Sequence, residues 1–336
     1  MMVSPLSVVN LASTVATETY SEFGLLQPDK SVSYLEDRYT TADSAFVEIG
    51  DARVHYREHG DPADQTVLLI HGTYSSLQTW DGWVDELEDQ FHLVRLDLPG
   101  FGLTGPRSSG AHRLEYLITL VGDFCDVLGL EDVVVVGNSL GGGISWRLAV
   151  ERPDIPSRLI LLDAGGATLL ARLAGNLMAF GTDLVPRFLT PRVVIRLVLN
   201  DAYADTTKVT PALVRRYHEL LLRPGNRRAV IEIARNYAED HDLQDVDDVY
   251  DPRLPALPSK YEPMPDFVDH YRIEEVDVPT LFQWGAEDAW LPVTFGRGLA
   301  TYVPDTRFII YDGVGHLPME ESPVRTARDA RAFLTA

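Results

Sequence analysis

The 336-residue sequence contains one cysteine, Cys125, only three lysines, and no long uninterrupted apolar run. A single cysteine excludes an internal disulfide bond. The apolar segments are too short to span a bilayer as a helix, and residues 1–17 lack the basic start of a signal peptide. We therefore expect a cytoplasmic protein with no membrane span.

Positive charge is also scarce. Lys+Arg 29 stand against Asp+Glu 50, which gives a formal net charge of −21. This imbalance argues against nucleic acid, whose phosphate backbone needs a basic face, and against docking on anionic lipid. We expect a small-molecule partner, and the oligomeric state stays open. The 31 aspartates suggest, as a hypothesis, a surface adapted to concentrated salt.

Hydrophobic residues make up 45% of the chain, as in ordinary globular proteins. Short apolar runs predict eight strands, at 45–49, 52–56, 66–70, 92–96, 133–136, 158–162, 280–284 and 307–311. Helical patterns lie between them, at 79–89, 113–128, 140–150 and 321–334. This alternation predicts an α/β fold around a largely parallel sheet.

Roughly a hundred residues separate the sixth and seventh predicted strands, far more than a crossover needs. Thr210-Pro211 reads as a helix start before a periodic stretch at 212–222, and 225–238 reads as another helix. A Pro-rich stretch at 251–265 predicts a loop. We interpret 167–270 as a helical cap inserted between two core segments, 41–166 and 271–336, after an N-terminal extension, 1–40.

The strongest chemical motif is Gly137-Asn138-Ser139-Leu140-Gly141-Gly142, between a predicted strand and a predicted helix. A sharp strand-to-helix turn exposes a serine hydroxyl above a sheet, and small residues two before and two after let backbone approach. The helix start directs N–H groups at developing negative charge. The motif predicts a nucleophilic serine, Ser139.

His71-Gly72-Thr73 follows the third predicted strand. Acyl transfer at a serine needs two backbone N–H donors for the oxyanion. We expect them from Leu140, which follows the nucleophile, and from Thr73 in this loop. His71 is interpreted as a structural residue of the turn, and a structural role is also expected for Asp97 in the Asp97–Gly102 loop.

A serine nucleophile needs a base and an acid that orients it. His316 follows the last predicted strand and two nearby glycines, and it is the candidate base. The candidate acid is Asp288, just past the seventh strand, with Glu287 as the first fallback and Asp163, past the sixth strand, as the second.

With these motifs in this order from about Phe46 onward, the chain resembles the α/β-hydrolase superfamily of capped serine hydrolases. The resemblance implies an eight-stranded, mostly parallel sheet with a helical cap. It also implies a Ser139–His316–Asp288 triad and no metal or organic cofactor. Its oxyanion hole and supporting residues map onto these positions: Thr73, Leu140, His71, Gly72, Gly137, Asn138 and Gly141.

Haloalkane dehalogenases and epoxide hydrolases of this superfamily use aspartate at the elbow, where this chain has serine. Gly-Asn-Ser-x-Gly-Gly is also the elbow of carbon–carbon bond hydrolases of meta-cleavage pathways. Those enzymes usually carry His-Gly-x-Gly-Pro-Gly after the third strand, and residues 71–76 depart from it. We expect a carboxylesterase-like enzyme for an uncharged, moderately hydrophobic ester. A carbon–carbon hydrolase and a non-catalytic ligand-binding protein remain the alternatives.

Overall fold

The structure is a computed structural model that describes residues 27–165, 191–240 and 272–336, with side chains to residue 236 in the second range. Several sequence features of the predicted cap lie outside the described residues. These are two runs rich in apolar residues, at 169–173 and 177–180, and the predicted loop at 251–265.

Eight strands form one sheet in the order β1-β2-β4-β3-β5-β6-β7-β8. The first strand pairs antiparallel with the second, and the second pairs antiparallel with β4, whereas all other pairs are parallel. The predicted α/β fold is therefore confirmed. The strands are β1 Ser44–Ile49, β2 Ala52–His59, β3 Thr66–Ile70, β4 His92–Leu96, β5 Val133–Asn138, β6 Pro156–Leu162, β7 Thr280–Gly285 and β8 Thr306–Tyr311.

The central strands are buried on both faces, which explains their continuous apolar sequences. Every residue of β5 is buried, and the same holds for β4 and β7. Helices on both sides of a parallel sheet require such two-sided burial.

The helices are α1 Val32–Tyr39, α2 Asp81–Leu87, α3 Leu114–Leu128, α4 Leu140–Glu151, α5 Arg192–Ala202, α6 Pro211–Leu221, α7 Asn226–Asp240, α8 Val293–Ala300, α9 Pro318–Glu321 and α10 Pro323–Leu334. None of the helices in the described ranges has the length and apolar character needed to cross a membrane.

Two of the predicted helices differ from the structure in detail. The helix expected over 79–89 is a 3₁₀ turn, Leu77–Trp80, followed by α2. The helix expected over 321–334 is divided into α9 and α10 at Ser322, because Pro323 has no N–H for a continuous helix and begins a new one.

Three helices, α5 to α7, lie in the range predicted to form the cap. The predicted start of α6 is confirmed: the Thr210 hydroxyl oxygen accepts the Leu213 N–H at 3.2 Å, and Pro211 occupies the first turn. The division of the chain into core and cap stays a prediction.

Helix α1 lies in the predicted N-terminal extension and packs on the helices of the predicted cap. Its Leu35 is fully buried with Leu103 and Leu220. Glu219 of α6 accepts the Tyr39 hydroxyl at 2.9 Å and pairs with Arg38 at 2.8 Å. The described part of the extension is thereby bound to α6.

Candidate active site

Ser139 stands at the turn from β5 into α4 with φ 52 and ψ −117. This is left-handed backbone for a residue with a Cβ, and it is strained. The flanking glycines explain how the turn closes. A Cβ at Gly137 would lie 2.2 Å from the Gly141 carbonyl oxygen, and a Cβ at Gly141 would lie 2.2 Å from that of Ile70.

Two backbone amides lie beside this turn. Leu140 is the first residue of α4, so its N–H has no acceptor within the helix. The loop after β3 comes against the serine, because a Cβ at Gly72 would lie 3.0 Å from the Ser139 Cβ. The N–H of Thr73, next in that loop, has no acceptor among the described residues. Both amides predicted for the oxyanion are therefore free to donate.

His71 has both ring nitrogens engaged. Nδ1 lies 2.8 Å from the carbonyl oxygen of Gly72, and Nε2 accepts the Leu98 N–H at 3.0 Å. Burial lowers the pKa of this histidine, against the opposing charge of Asp97. A neutral imidazole with no free nitrogen is a structural residue of the loop and not a base.

His316 and Asp288 are brought together. Nδ1 of His316 lies 2.7 Å from Oδ2 of Asp288, and both residues are buried. The other Asp288 oxygen accepts the N–H groups of Trp290 and Leu291 at 2.8 and 3.0 Å. A proton on Nδ1 leaves Nε2 as the acceptor of the ring, and Nε2 is buried with no partner among the described residues.

Asn138 connects the turn at Ser139 by hydrogen bonds to the loop that carries His316, here called the histidine loop. Its side-chain amide donates to the carbonyl oxygens of His316 and Leu162, each at 3.1 Å. Ser139 and His316 themselves do not form a hydrogen bond in the described structure. Such contacts are often long in a free enzyme and shorten when substrate binds.

The two fallback acids occupy different positions. Glu287 accepts the N–H groups of Gly313 and Val314 at 2.8 and 3.0 Å and so supports the loop that leads to His316. Asp163 is fully buried, and its Oδ1 accepts the Gly285 N–H at 3.0 Å. The imidazole is bonded to Asp288 and to neither fallback.

Within the described ranges, one set of three side chains has the spread of a metal site. Ligand atoms of Asp163, Asp288 and His316 lie within 4.8 Å of one another. Within this set, His316 Nδ1 and Asp288 Oδ2 are in direct hydrogen-bond contact at 2.7 Å, and an ion bound between them would have to displace that contact. The donor set therefore fits a proton relay better than a metal.

Sequence reasoning missed the residues that hold the histidine from the side of α5. The Trp290 ring lies against the imidazole, with ring centres 4.7 Å apart, and its indole N–H donates to Asp201 at 2.5 Å. The backbone N–H of His316 donates to the Ala202 carbonyl oxygen at 2.7 Å. No sequence signal marks these contacts, since they join segments that are distant along the chain.

A model of the alpha/beta hydrolase family matches residues 67–330. A 2-hydroxy-6-oxononadienedioate/2-hydroxy-6-oxononatrienedioate hydrolase of Pseudomonas putida is 25% identical over 272 residues, which cover 79% of this chain and 86% of that protein.

Two solved structures are similar in fold. A serine hydrolase involved in carbazole degradation superposes with a TM-score of 0.67 at 21% identity, over 87% of this chain and 98% of the other. A thermophilic esterase from Thermogutta terrifontis gives 0.64 at 21% identity, over 88% and 98%. With its eight-stranded sheet, its strained serine turn and the match over most of its length, the chain belongs to the alpha/beta hydrolase family.

Proposed function

We propose that the protein is a serine hydrolase that cleaves an uncharged, moderately hydrophobic carboxylic ester through an acyl-enzyme. The observation that carries the proposal is the state of His316. One ring nitrogen is held by Asp288 at 2.7 Å, while the other is buried and has no partner in the part of the chain that the structure describes. A ring fixed in this way is prepared to take a proton from a nearby alcohol.

In the first half of the reaction, the Ser139 hydroxyl oxygen attacks the acyl carbon and His316 Nε2 takes its proton. Asp288 holds the imidazole tautomer and stabilises the imidazolium. The amides of Thr73 and Leu140 donate to the oxyanion, and one such donor typically contributes about 10²–10³ in turnover. Collapse of the tetrahedral intermediate expels the alcohol, which receives the proton from His316.

In the second half, water loses a proton to His316 and attacks the acyl-enzyme. The carboxylic acid leaves, and Ser139 recovers its proton. Every proton in this cycle moves through His316, which explains the need for a rigidly held ring. Asp288, Trp290 and Ala202 supply that rigidity from three directions.

The proposed substrate class rests on charge and on likeness. A chain with a net charge of −21 repels anionic substrates, and ligand sites on such folds are mostly apolar. The similar Thermogutta terrifontis protein is an esterase.

Initial rates on a series of p-nitrophenyl esters of increasing acyl length test this proposal. We expect turnover with an optimum of acyl length, and loss of turnover in a folded Ser139→Ala variant. Retained activity in that variant excludes the serine mechanism. Equal rates along the series, or activity only on acidic esters, exclude the proposed substrate class.

A carbon–carbon hydrolase is the second candidate, favoured by the relative from Pseudomonas putida and by the Gly-Asn-Ser-x-Gly-Gly turn. A meta-cleavage ring-fission product, assayed beside the esters, separates the two: the esterase proposal predicts the higher kcat/KM on esters. If neither class turns over, a ligand-binding protein on this fold becomes the better account.

A further inference from the structure

We propose that Asp163 is a neutral carboxylic acid that donates its proton in a hydrogen bond to Asp288, so that it acts as a positioning residue of the relay. The inference rests on the proposed function of Ser139, His316 and Asp288. It assigns a role to a buried acid that the ester mechanism does not use.

The surroundings of Asp163 are unsuited to a carboxylate. The side chain is fully buried, and Oδ1 receives a single N–H, from Gly285. Oδ2 is buried and meets no N–H or O–H donor among the described residues. A buried carboxylate with one donor is costly, whereas a protonated Oδ2 requires only one acceptor.

Asp288 offers that acceptor. An ionised carboxylate has about four lone-pair positions. Three are used by the N–H groups of Trp290 and Leu291 and by His316. Carboxyl oxygens of Asp163 and Asp288 lie within 4.8 Å of each other, and a hydrogen bond between the two side chains is among the causes that raise the pKa of Asp163.

The charges around Asp163 also favour its neutral form. The titratable groups that face it are Asp288, Glu321 and the imidazole of His316. Burial raises the pKa of Asp163 well above its usual value, and the negative charges of Asp288 and Glu321 raise it further; the Gly285 N–H opposes this only in part. Two carboxyl groups this close cannot both ionise at low cost.

The backbone conformation at Asp163 limits which residues this position accepts. Asp163 has φ 41, in the left-handed region that few residues with a Cβ adopt. The turn directly follows β6, the neighbour of β5 and β7 in the sheet. Asparagine and aspartate tolerate this conformation better than other non-glycine residues, so a change to asparagine retains the turn.

The consequence is a relay that carries one negative charge shared by two carboxyl groups. The hydrogen bond from Asp163 fixes the orientation of Asp288 and withdraws some of its charge. A second carboxylate would instead stabilise the imidazolium and hold the base in its protonated form at higher pH.

The pH dependence of kcat/KM on a p-nitrophenyl ester in Asp163→Asn tests the proposal. Asparagine is neutral and retains a donor, so we expect the acid limb to stay within about 0.3 pH unit of the wild type. If Asp163 is ionised in the wild type, its removal moves the acid limb down by about one unit or more. That shift overturns the proposal, as does a folded Asp163→Asn variant without activity.

Two further variants complete the design. Asp163→Ala removes the donor, and we expect kcat to fall about tenfold, as for the loss of one charge-assisted hydrogen bond, with KM little changed. Asp312→Asn removes an exposed acid at the start of the histidine loop, and we expect an unchanged profile. Equal kcat in Asp163→Ala and the wild type contradicts a positioning role.

A measurement on the wild type covers the case in which the variants fail to fold. In protein labelled with ¹³C at the aspartate carboxyls, the proposal predicts one carboxyl that is protonated at neutral pH; its absence overturns the proposal. Ser139→Ala is assayed in parallel. If it stays active, the proposed function fails, whereas an inactive Ser139→Ala with a shifted Asp163→Asn profile rejects only the role of Asp163.

Discussion

Three residues with left-handed backbone, Tyr74 (φ 63), Ser139 (φ 52) and Asp163 (φ 41), lie just beyond the ends of β3, β5 and β6. Each such residue costs about 1–3 kcal/mol and persists only when its surroundings impose it. These strands are neighbours in the sheet, and their carboxyl ends share an edge. Strained backbone conformations are therefore concentrated at the edge where ligands bind in open α/β sheets.

Asp97 shows a structural use of a buried acid. It lies 2.7 Å from Nδ1 of His55 and accepts the N–H groups of Leu77 and Leu103, each at 2.8 Å. Burial raises its pKa, but the hydrogen bond and charge of His55 and the Leu103 amide outweigh this and hold it at about 2. The expected structural role of Asp97 agrees with these contacts.

Because the folded-state pKa of Asp97 lies below its ordinary value of 3.8, the group stabilises the fold above about pH 4, and this contribution is lost as the pH falls toward 2. We expect it to be about 2 kcal/mol. Urea unfolding of Asp97→Asn at pH 7 and at pH 3 measures it: the free energy of unfolding should be lower at pH 7 and fall less on acidification. The exposed Asp305→Asn should follow the wild type. The assignment is contradicted if the free energy of unfolding changes equally between pH 7 and pH 3 in all three proteins.

At the scale of elements, Glu320 joins the predicted cap to the core. Glu320 lies in α9, four residues after His316. On the side of the predicted core, it accepts a hydrogen bond from the Thr79 hydroxyl at 2.6 Å. From α6 it receives Arg216 and, at 3.1 Å, the Tyr217 hydroxyl; Tyr203 also donates to it. One carboxylate thus holds the helices of the predicted cap beside the histidine loop.

Glu320→Gln removes the charge that compensates the Arg216 guanidinium, whose side chain is 20% exposed. Breaking a buried ion pair costs about 3–5 kcal/mol, and for this partly exposed pair we expect a loss of roughly 2 kcal/mol in urea. The exposed Glu151→Gln, which breaks a surface pair with Arg147, should change the stability by less than about 0.5 kcal/mol. Equal effects of the two changes contradict the joining role.

The elements that sequence reasoning found are those with an uninterrupted apolar or clearly periodic pattern. The strand at 66–70 is predicted to the residue, because the β-branched Thr66 is followed by an unbroken apolar run. Helix α8 was missed because Gly296 and Gly298 weaken its pattern, and α1 was missed because Leu35 is its only buried residue. Tertiary contacts, which sequence does not show, stabilise both.

The candidate site also has a part that the sequence predicts and a part that it does not. Ser139, Asp288 and His316 each follow a predicted strand, so their order and their common edge follow from the sequence. The approach of Asp163 to Asp288 depends on the left-handed turn after β6, and the cover of His316 by Trp290 depends on the position of α5. Neither leaves a local pattern.

The whole molecule carries a net charge of −21, and its folded state is opposed by self-repulsion. Salt screens such repulsion, since the Debye length falls from about 10 Å at 0.1 M to about 3 Å at 1 M. If the aspartate-rich surface is adapted to concentrated salt, both Tm and ester turnover should rise between low and molar KCl. Sorbitol at equal osmolality controls for general solute effects. A flat or falling response to KCl removes the hypothesis.

The central claim is that His316 activates Ser139. An organophosphonate ester, followed by intact mass and peptide mapping, tests it most directly. We expect one adduct per chain, on Ser139, absent in Ser139→Ala and formed much more slowly in His316→Ala. An adduct on another residue, or ester turnover by a protein that never labels at Ser139, contradicts the account.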